Sequence, residues 1–135
     1  MIAVDPSALI AILKREPERE AFARTISDAD DCFLSAVGFL ETTMVLIGRG
    51  PPHRADELES ILNDLAITLV PFDERQARIS RDAFIRYGKG RHPAGLNFGD
   101  CISYALAQSL RLPLLFKGAD FAKTDVVPAL LQPGA

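Results

Sequence analysis

The sequence predicts an α/β fold: a three-layer α/β/α sandwich with helices on both faces of a short, mainly parallel sheet. Three observations lead there. Short apolar runs alternate with longer stretches of helical period, several helix candidates open on a capping residue, and no repeat, low-complexity tract or linker interrupts the 135 residues. A single domain over residues 1–135 is therefore expected, long enough to bury a hydrophobic core.

The elements follow in order. Met1 to Val4 is a short apolar strand candidate, and Asp5-Pro6 starts a helix with Asp5 as N-cap and Pro6 in the first turn. Ala8, Leu9, Ile12 and Leu13 give that helix its apolar face. Glu18 to Ile26 reads as a second, charged helix, and Cys32 to Ser35 as the second strand. A helix from about Val37 to Ile47 is expected to bury Val37, Leu40, Met44 and Ile47 as one stripe, and Gly48 to Pro52 ends it. Ala55 to Leu65 is helical, Ile67 to Val70 a strand that Pro71 stops, and Asp73 to Tyr87 a helix capped by Asp73. Gly88 to Gly95 is a loop, Asn97 to Leu110 a helix, and Leu112 to Phe116 a strand. A brief strand at Asp125 to Val127 is expected before a Pro133-Gly134 tail.

Composition narrows the function classes. A hydrophobic fraction of 48% with 24% charged residues is that of a globular protein, not a disordered or fibrous one. No apolar run approaches the ~20 residues that span a bilayer, and the start, Met1 to Asp5, lacks the basic region of a secretory signal. Cys32 and Cys101 lie in apolar surroundings and suit a reducing cytoplasm better than a disulfide or a zinc site. The net charge of −3 argues against passive coating of nucleic acid, though not against an enzyme whose acids gather at a metal.

Ligands of an open parallel sheet bind beyond the carboxyl ends of its strands, and carboxylates fall there. Asp5 ends the first strand, Glu41 lies in the helix after the second, Asp100 opens the helix before the fourth, and Asp120 sits in the turn after it. Each has a local explanation as a cap, a surface acid or a turn residue. Gly38, Val45 and Gly48 share the stripe of Glu41, which suggests close packing beside it. Four acids converging without matching bases repel one another unless a cation stands between them, and all-oxygen ligands select Mg²⁺ or Mn²⁺. Between Arg86 and Gly99 there is no acid, while Arg86, Lys89 and Arg91 are present and Lys117 precedes Asp120 by three. As a group these cations suit a phosphate backbone held against the acids. His53 and His92 have no metal-ligand spacing and read as surface residues, His92 at most an accessory phosphate contact.

Val4-Asp5-Pro6-Ser7-Ala8-Leu9, Glu41 in its apolar helix, Leu96 to Cys101 with its Ala-rich continuation, and Leu115 to Phe121 together resemble the PIN-domain ribonucleases, nearest to the VapC-type toxins of toxin–antitoxin pairs. The likeness runs essentially end to end. It implies a Mg²⁺- or Mn²⁺-dependent endoribonuclease that hydrolyses RNA with metal-activated water. Asp5, Glu41, Asp100 and Asp120 match the family's acidic tetrad, and Ser7 a small hydroxyl beside it. Lys89, Arg91 and Lys117 are then the substrate-binding candidates. The resemblance also implies a small antitoxin whose tail occupies the acidic site, and a homodimer. One departure stands out: relatives often carry an acid or amide where this chain has Ala119, which bears on a second metal. Two other readings use the same acids. One is a phosphoryl-transfer or phosphatase-like enzyme with Asp5 as nucleophile, although Ser7 stands where a second Asp is wanted. The other is a binding module that keeps the fold without catalysis.

Overall fold

The computed structural model describes residues 1–131, so the Pro133-Gly134 tail lies outside the described residues. The order is β1 (Ile2–Val4), α1 (Pro6–Leu13), α2 (Arg19–Asp28), β2 (Cys32–Ser35), α3 (Ala36–Ile47), α4 (Arg54–Asp64), β3 (Ile67–Val70), α5 (Glu74–Tyr87), α6 (Phe98–Leu110) and β4 (Leu114–Leu115). A short 3-10 turn follows at Phe121–Lys123. The four strands form one sheet in the order β3-β2-β1-β4, and every pairing is parallel.

Alternation along the strands divides the core between the two faces of the sheet. Ile2, Val4, Leu34 and Leu115 pack with α1, α2 and α4 through Leu9, Ile12, Phe22, Ile26, Leu58 and Leu62. Ala3 and Leu114 face the other way, onto Tyr104 and Leu106 of α6 and Ala83 of α5. β1 is buried on both sides, as an inner strand of a parallel sheet must be. Because all strands run the same way, their carboxyl ends share one edge. Val4 pairs with Leu115 and Ser35 with Val70 there, so the segment after each strand starts from the same rim.

Three details differ from the sequence expectation. The buried face of α3 is Gly38, Thr42 and Leu46, whereas Leu40 and Met44 are 57% and 62% exposed. Apolar residues lie all round this helix, so their period does not choose a face; small residues do. Gly38 lies under Leu34 and Pro6 with almost no room for a Cβ, and Thr42 returns its hydroxyl to the Gly38 carbonyl at 2.7 Å. The fourth strand is only Leu114–Leu115, shorter than Leu112 to Phe116. Finally, Asp125 to Val127 forms no strand of its own. A single parallel bridge joins Leu114 to Pro128, made by the Leu114 N–H on the Val127 carbonyl and the Ala129 N–H on the Leu114 carbonyl.

Candidate active site

Asp5 leaves β1 in extended conformation and caps α1, accepting the Ser7 N–H at 3.0 Å. Asp5 is 6% exposed. The hydroxyls of Ser103 and Ser7 also hydrogen-bond to it. Burial raises the Asp5 pKa, and those three donors work against that rise without cancelling it.

Asp100 is positioned by its helix start. Asn97 and Asp100 form a reciprocal capping box, Asn97 accepting the Asp100 N–H at 2.9 Å and Asp100 accepting the Asn97 N–H at 3.0 Å. The Gly88–Gly95 loop returns the chain to the sheet's carboxyl edge, with Leu96 bonded back to Tyr87 and Lys89 through the main chain. Burial pushes the Asp100 carboxyl up to about 6; Asp5 and Asp120 add to the rise, and the Asn97 N–H opposes it.

Glu41 reaches across from α3 to the start of α6. A Cβ at residue 99 would collide with its carboxylate, so Gly99 is the gap through which Glu41 approaches. Burial, then Asp5 and Asp100, raise its pKa. Asp120 stands exposed at the head of the 3-10 turn and acts electrostatically on Asp100. The structure therefore brings together Asp5, Glu41 and Asp100, with Asp120 on the open rim.

The influences that shift these acids are desolvation, one another, and neutral donors. Among the described residues, no three Asp, Glu, His or Cys side chains already form a closed metal-binding group. One Asp100 oxygen is turned back to its own cap. The donor chemistry nonetheless fits a hard divalent cation: oxygen atoms only, partly desolvated, and short of positive charge. Asp5 and Asp100 would hold it, with Glu41 and Asp120 beside them.

The basic candidates divide. Lys117 donates its main-chain N–H to Ser7 Oγ at 3.0 Å, while its ammonium lies 3.0 Å from Glu16 and 2.9 Å from Glu18. Those hydrogen bonds, Glu18 first, raise its pKa. A phosphate at Lys117 would have to share it with the α1–α2 turn. Arg91 is folded back onto the Ile85 carbonyl at 3.0 Å, and Arg86 lies over the Tyr87 ring and 3.7 Å from Asp125. Lys89 is exposed at the loop surface. His92 is a loop-building residue: its Nδ1 accepts the Ala94 N–H at 3.0 Å and its ring meets Tyr87 edge-on.

Two contributors escaped sequence reasoning, Ser103 and Gly99. Ser103 lies three residues after Asp100, one helical turn along the same face, and is 2% exposed. Its spacing from Asp100 was the available signal. For Gly99, the signal was a glycine inside the first turn of a helix, where it costs stability unless something approaches closely.

A short parallel sheet with acids gathered at its carboxyl rim defines the class of protein. The chain belongs to the PIN-domain family, whose sequence profile matches residues 2–127, and within it to the VapC branch. It is 46% identical to Ribonuclease VapC28 of Mycobacterium tuberculosis over 128 residues, covering 94% of this chain and 96% of that one. Among solved structures it resembles VapC20 of Mycobacterium tuberculosis, described as a Sarcin-Ricin loop cleaving toxin, with a TM-score of 0.76, 16% identity and 94% and 97% coverage. It also resembles a toxin–antitoxin complex from Klebsiella pneumoniae, with a TM-score of 0.72, 20% identity and 96% and 98% coverage. No helix among the described residues is long and apolar enough to cross a membrane.

Proposed function

We propose that this protein is a Mg²⁺- or Mn²⁺-dependent endoribonuclease and the toxin of a toxin–antitoxin pair. The observation that carries this reading is the set of partly buried, mutually coupled carboxylates of Asp5, Glu41 and Asp100, with Asp120 beside them, in a chain 46% identical to a ribonuclease. A divalent cation bound there supplies positive charge that activates water and offsets charge developing on the phosphate. The chain's own residues set the geometry. Ser7 and Ser103 hold the Asp5 carboxylate in one orientation, and the capping box fixes where Asp100 projects. Glu41, which comes through the gap at Gly99 to the start of α6, would be the residue to orient the attacking water or take its proton. Lys89, Arg91 and Lys117, with the Ser7 hydroxyl, are our candidates for holding the substrate's phosphates.

The partner follows from the same chemistry. An antitoxin tail presenting an Arg among these acids would neutralise them with a bidentate pair and block the site. We assign a second copy of this chain to the apolar patch that Leu40, Met44 and Val45 leave exposed on α3. The buried free thiols of Cys32 and Cys101 agree with a reducing cytoplasm.

The test is cleavage of a mixed-sequence RNA with Mg²⁺ or Mn²⁺, compared with EDTA and with Asp100→Asn. We expect cleavage by the wild type only, and only with metal. Cleavage that survives both EDTA and the substitution would overturn the reading.

A further inference from the structure

A second electrostatic feature lies outside the acidic site, on the outer face of α5. Between Arg75 and Gly99 the chain has six basic side chains and one acid, Asp82. That segment carries +5 in a chain of net −3, which leaves −8 on the rest. The inner face of α5, with Gln76, Ser80, Ala83 and Tyr87, is buried. Helical spacing sets Arg75, Arg78 and Arg86 in one outward row with Arg81 beside it. The side chains of Arg78, Arg81 and Arg86 are 62%, 65% and 64% exposed.

The row has a direction. At one end Arg75 donates to the Ser109 carbonyl near the close of α6, at 3.4 Å. At the other, Leu96 and Tyr87 bond through the main chain, so α5 ends beside the start of α6, where Asp100 stands. At 1.5 Å per residue, Arg75 to Arg86 spans about 16 Å.

The arginines are lightly held where they are. Arg78 lies 3.5 Å from Glu74, Arg81 3.6 Å from Asp82, and Arg86 3.7 Å from Asp125. Exposed pairs of that length contribute little, and a guanidinium exchanges them readily for a bidentate phosphate contact.

We infer that the outer face of α5 is a phosphate track, along which the RNA backbone flanking the scissile bond lies on its way to Asp100. The inference rests on the ribonuclease reading for its substrate. Contacts to phosphate carry no base information, so the track sets a preference for RNA length and leaves sequence choice to the site.

The probes are a 20-nucleotide and a 4-nucleotide single-stranded RNA of mixed sequence, bound to Asp100→Asn protein across a salt series. Replacing Arg75, Arg78 and Arg81 together by Gln should lower the log–log salt slope for the 20-mer by about 2, at ~0.7 for each phosphate no longer neutralised. At 0.1 M salt its binding should weaken by about tenfold to a hundredfold. Binding of the 4-mer should hardly change. Asp82→Asn should act in the opposite sense and tighten the 20-mer several-fold, which keeps the proposal decidable should the triple variant not fold. An unchanged slope in a folded triple variant, equal weakening of both RNAs, or no tightening by Asp82→Asn would overturn the track. Wild-type protein that fails to cleave the 20-mer with Mg²⁺ or Mn²⁺, while the slope still falls in the triple variant, would overturn the nuclease reading and leave the track standing.

Discussion

Asp5 illustrates how one side chain can answer both to folding and to the proposed chemistry. It caps α1 and lies almost fully buried among other acids. In Asp5→Asn the side-chain oxygen keeps the cap, while the charge that burial disfavours is removed. Metal-dependent cleavage should vanish, and the melting temperature in EDTA should hold or rise. Destabilisation beyond the ~1 kcal/mol of a lost cap would show Asp5 to be structural. Ser103→Ala should leave the fold intact but remove a hydroxyl that lowers the Asp5 pKa. Metal affinity should then fall more at pH 6 than at pH 8, with Ser103→Thr restoring it, and a pH-independent loss would contradict this role. The acids were legible in the sequence because each stands at an element boundary or in a small-residue stripe. Ser103 was not, since a serine within Cys101-Ile102-Ser103-Tyr104-Ala105 reads as packing until β1 is seen beside it.

Among the helices, α6 shows how local sequence aims a carboxylate of the proposed cation site. Asn97→Ala should cost about 1 kcal/mol in a denaturant melt. It should also weaken metal binding, because Asp100 loses the reciprocal bond that fixes its turn. Full affinity in a destabilised variant would separate the cap from the site. Capping residues made the starts of α1, α5 and α6 readable to within a residue. The buried face of α3 was not readable, because Leu40 and Met44 are as apolar as the residues that pack. Close approach of Gly38 to Pro6 and Leu34 is a tertiary fact, and it turned the helix. The segment from Asp125 to Val127 has strand-like composition, but its place is set by Tyr104, which donates to Asp125 at 2.7 Å, and by Pro128.

For the whole molecule, the order of elements made the parallel sandwich legible, whereas the return of Asp100 to the rim depended on a loop whose path no periodicity encodes. The gathered acids give metal-free protein a characteristic pH response. A carboxyl whose folded pKa is raised to about 6 from 3.8 holds its proton in the folded state where the unfolded chain has lost it. Its contribution to stability is therefore present at low pH and lost as pH rises from about 4 through 6. Asp5 and Glu41, also raised, act in the same sense. In EDTA, Asp100→Asn should gain stability relative to wild type across that window, read as a widening difference in melting temperature. A constant difference would mean that the Asp100 pKa is ordinary.

The proposed function requires these carboxylates to form a divalent-cation site. Its most direct test is a melting-temperature titration of EDTA-treated protein with Mg²⁺ or Mn²⁺, wild type beside Asp100→Ala, at pH 7.5. An ion that binds only the folded chain raises stability by mass action, about 2.7 kcal/mol at a hundredfold excess over Kd. The wild type should rise by several degrees and Asp100→Ala by much less. Equal shifts in the two proteins, or none in either, would rule out a cation site at these carboxylates.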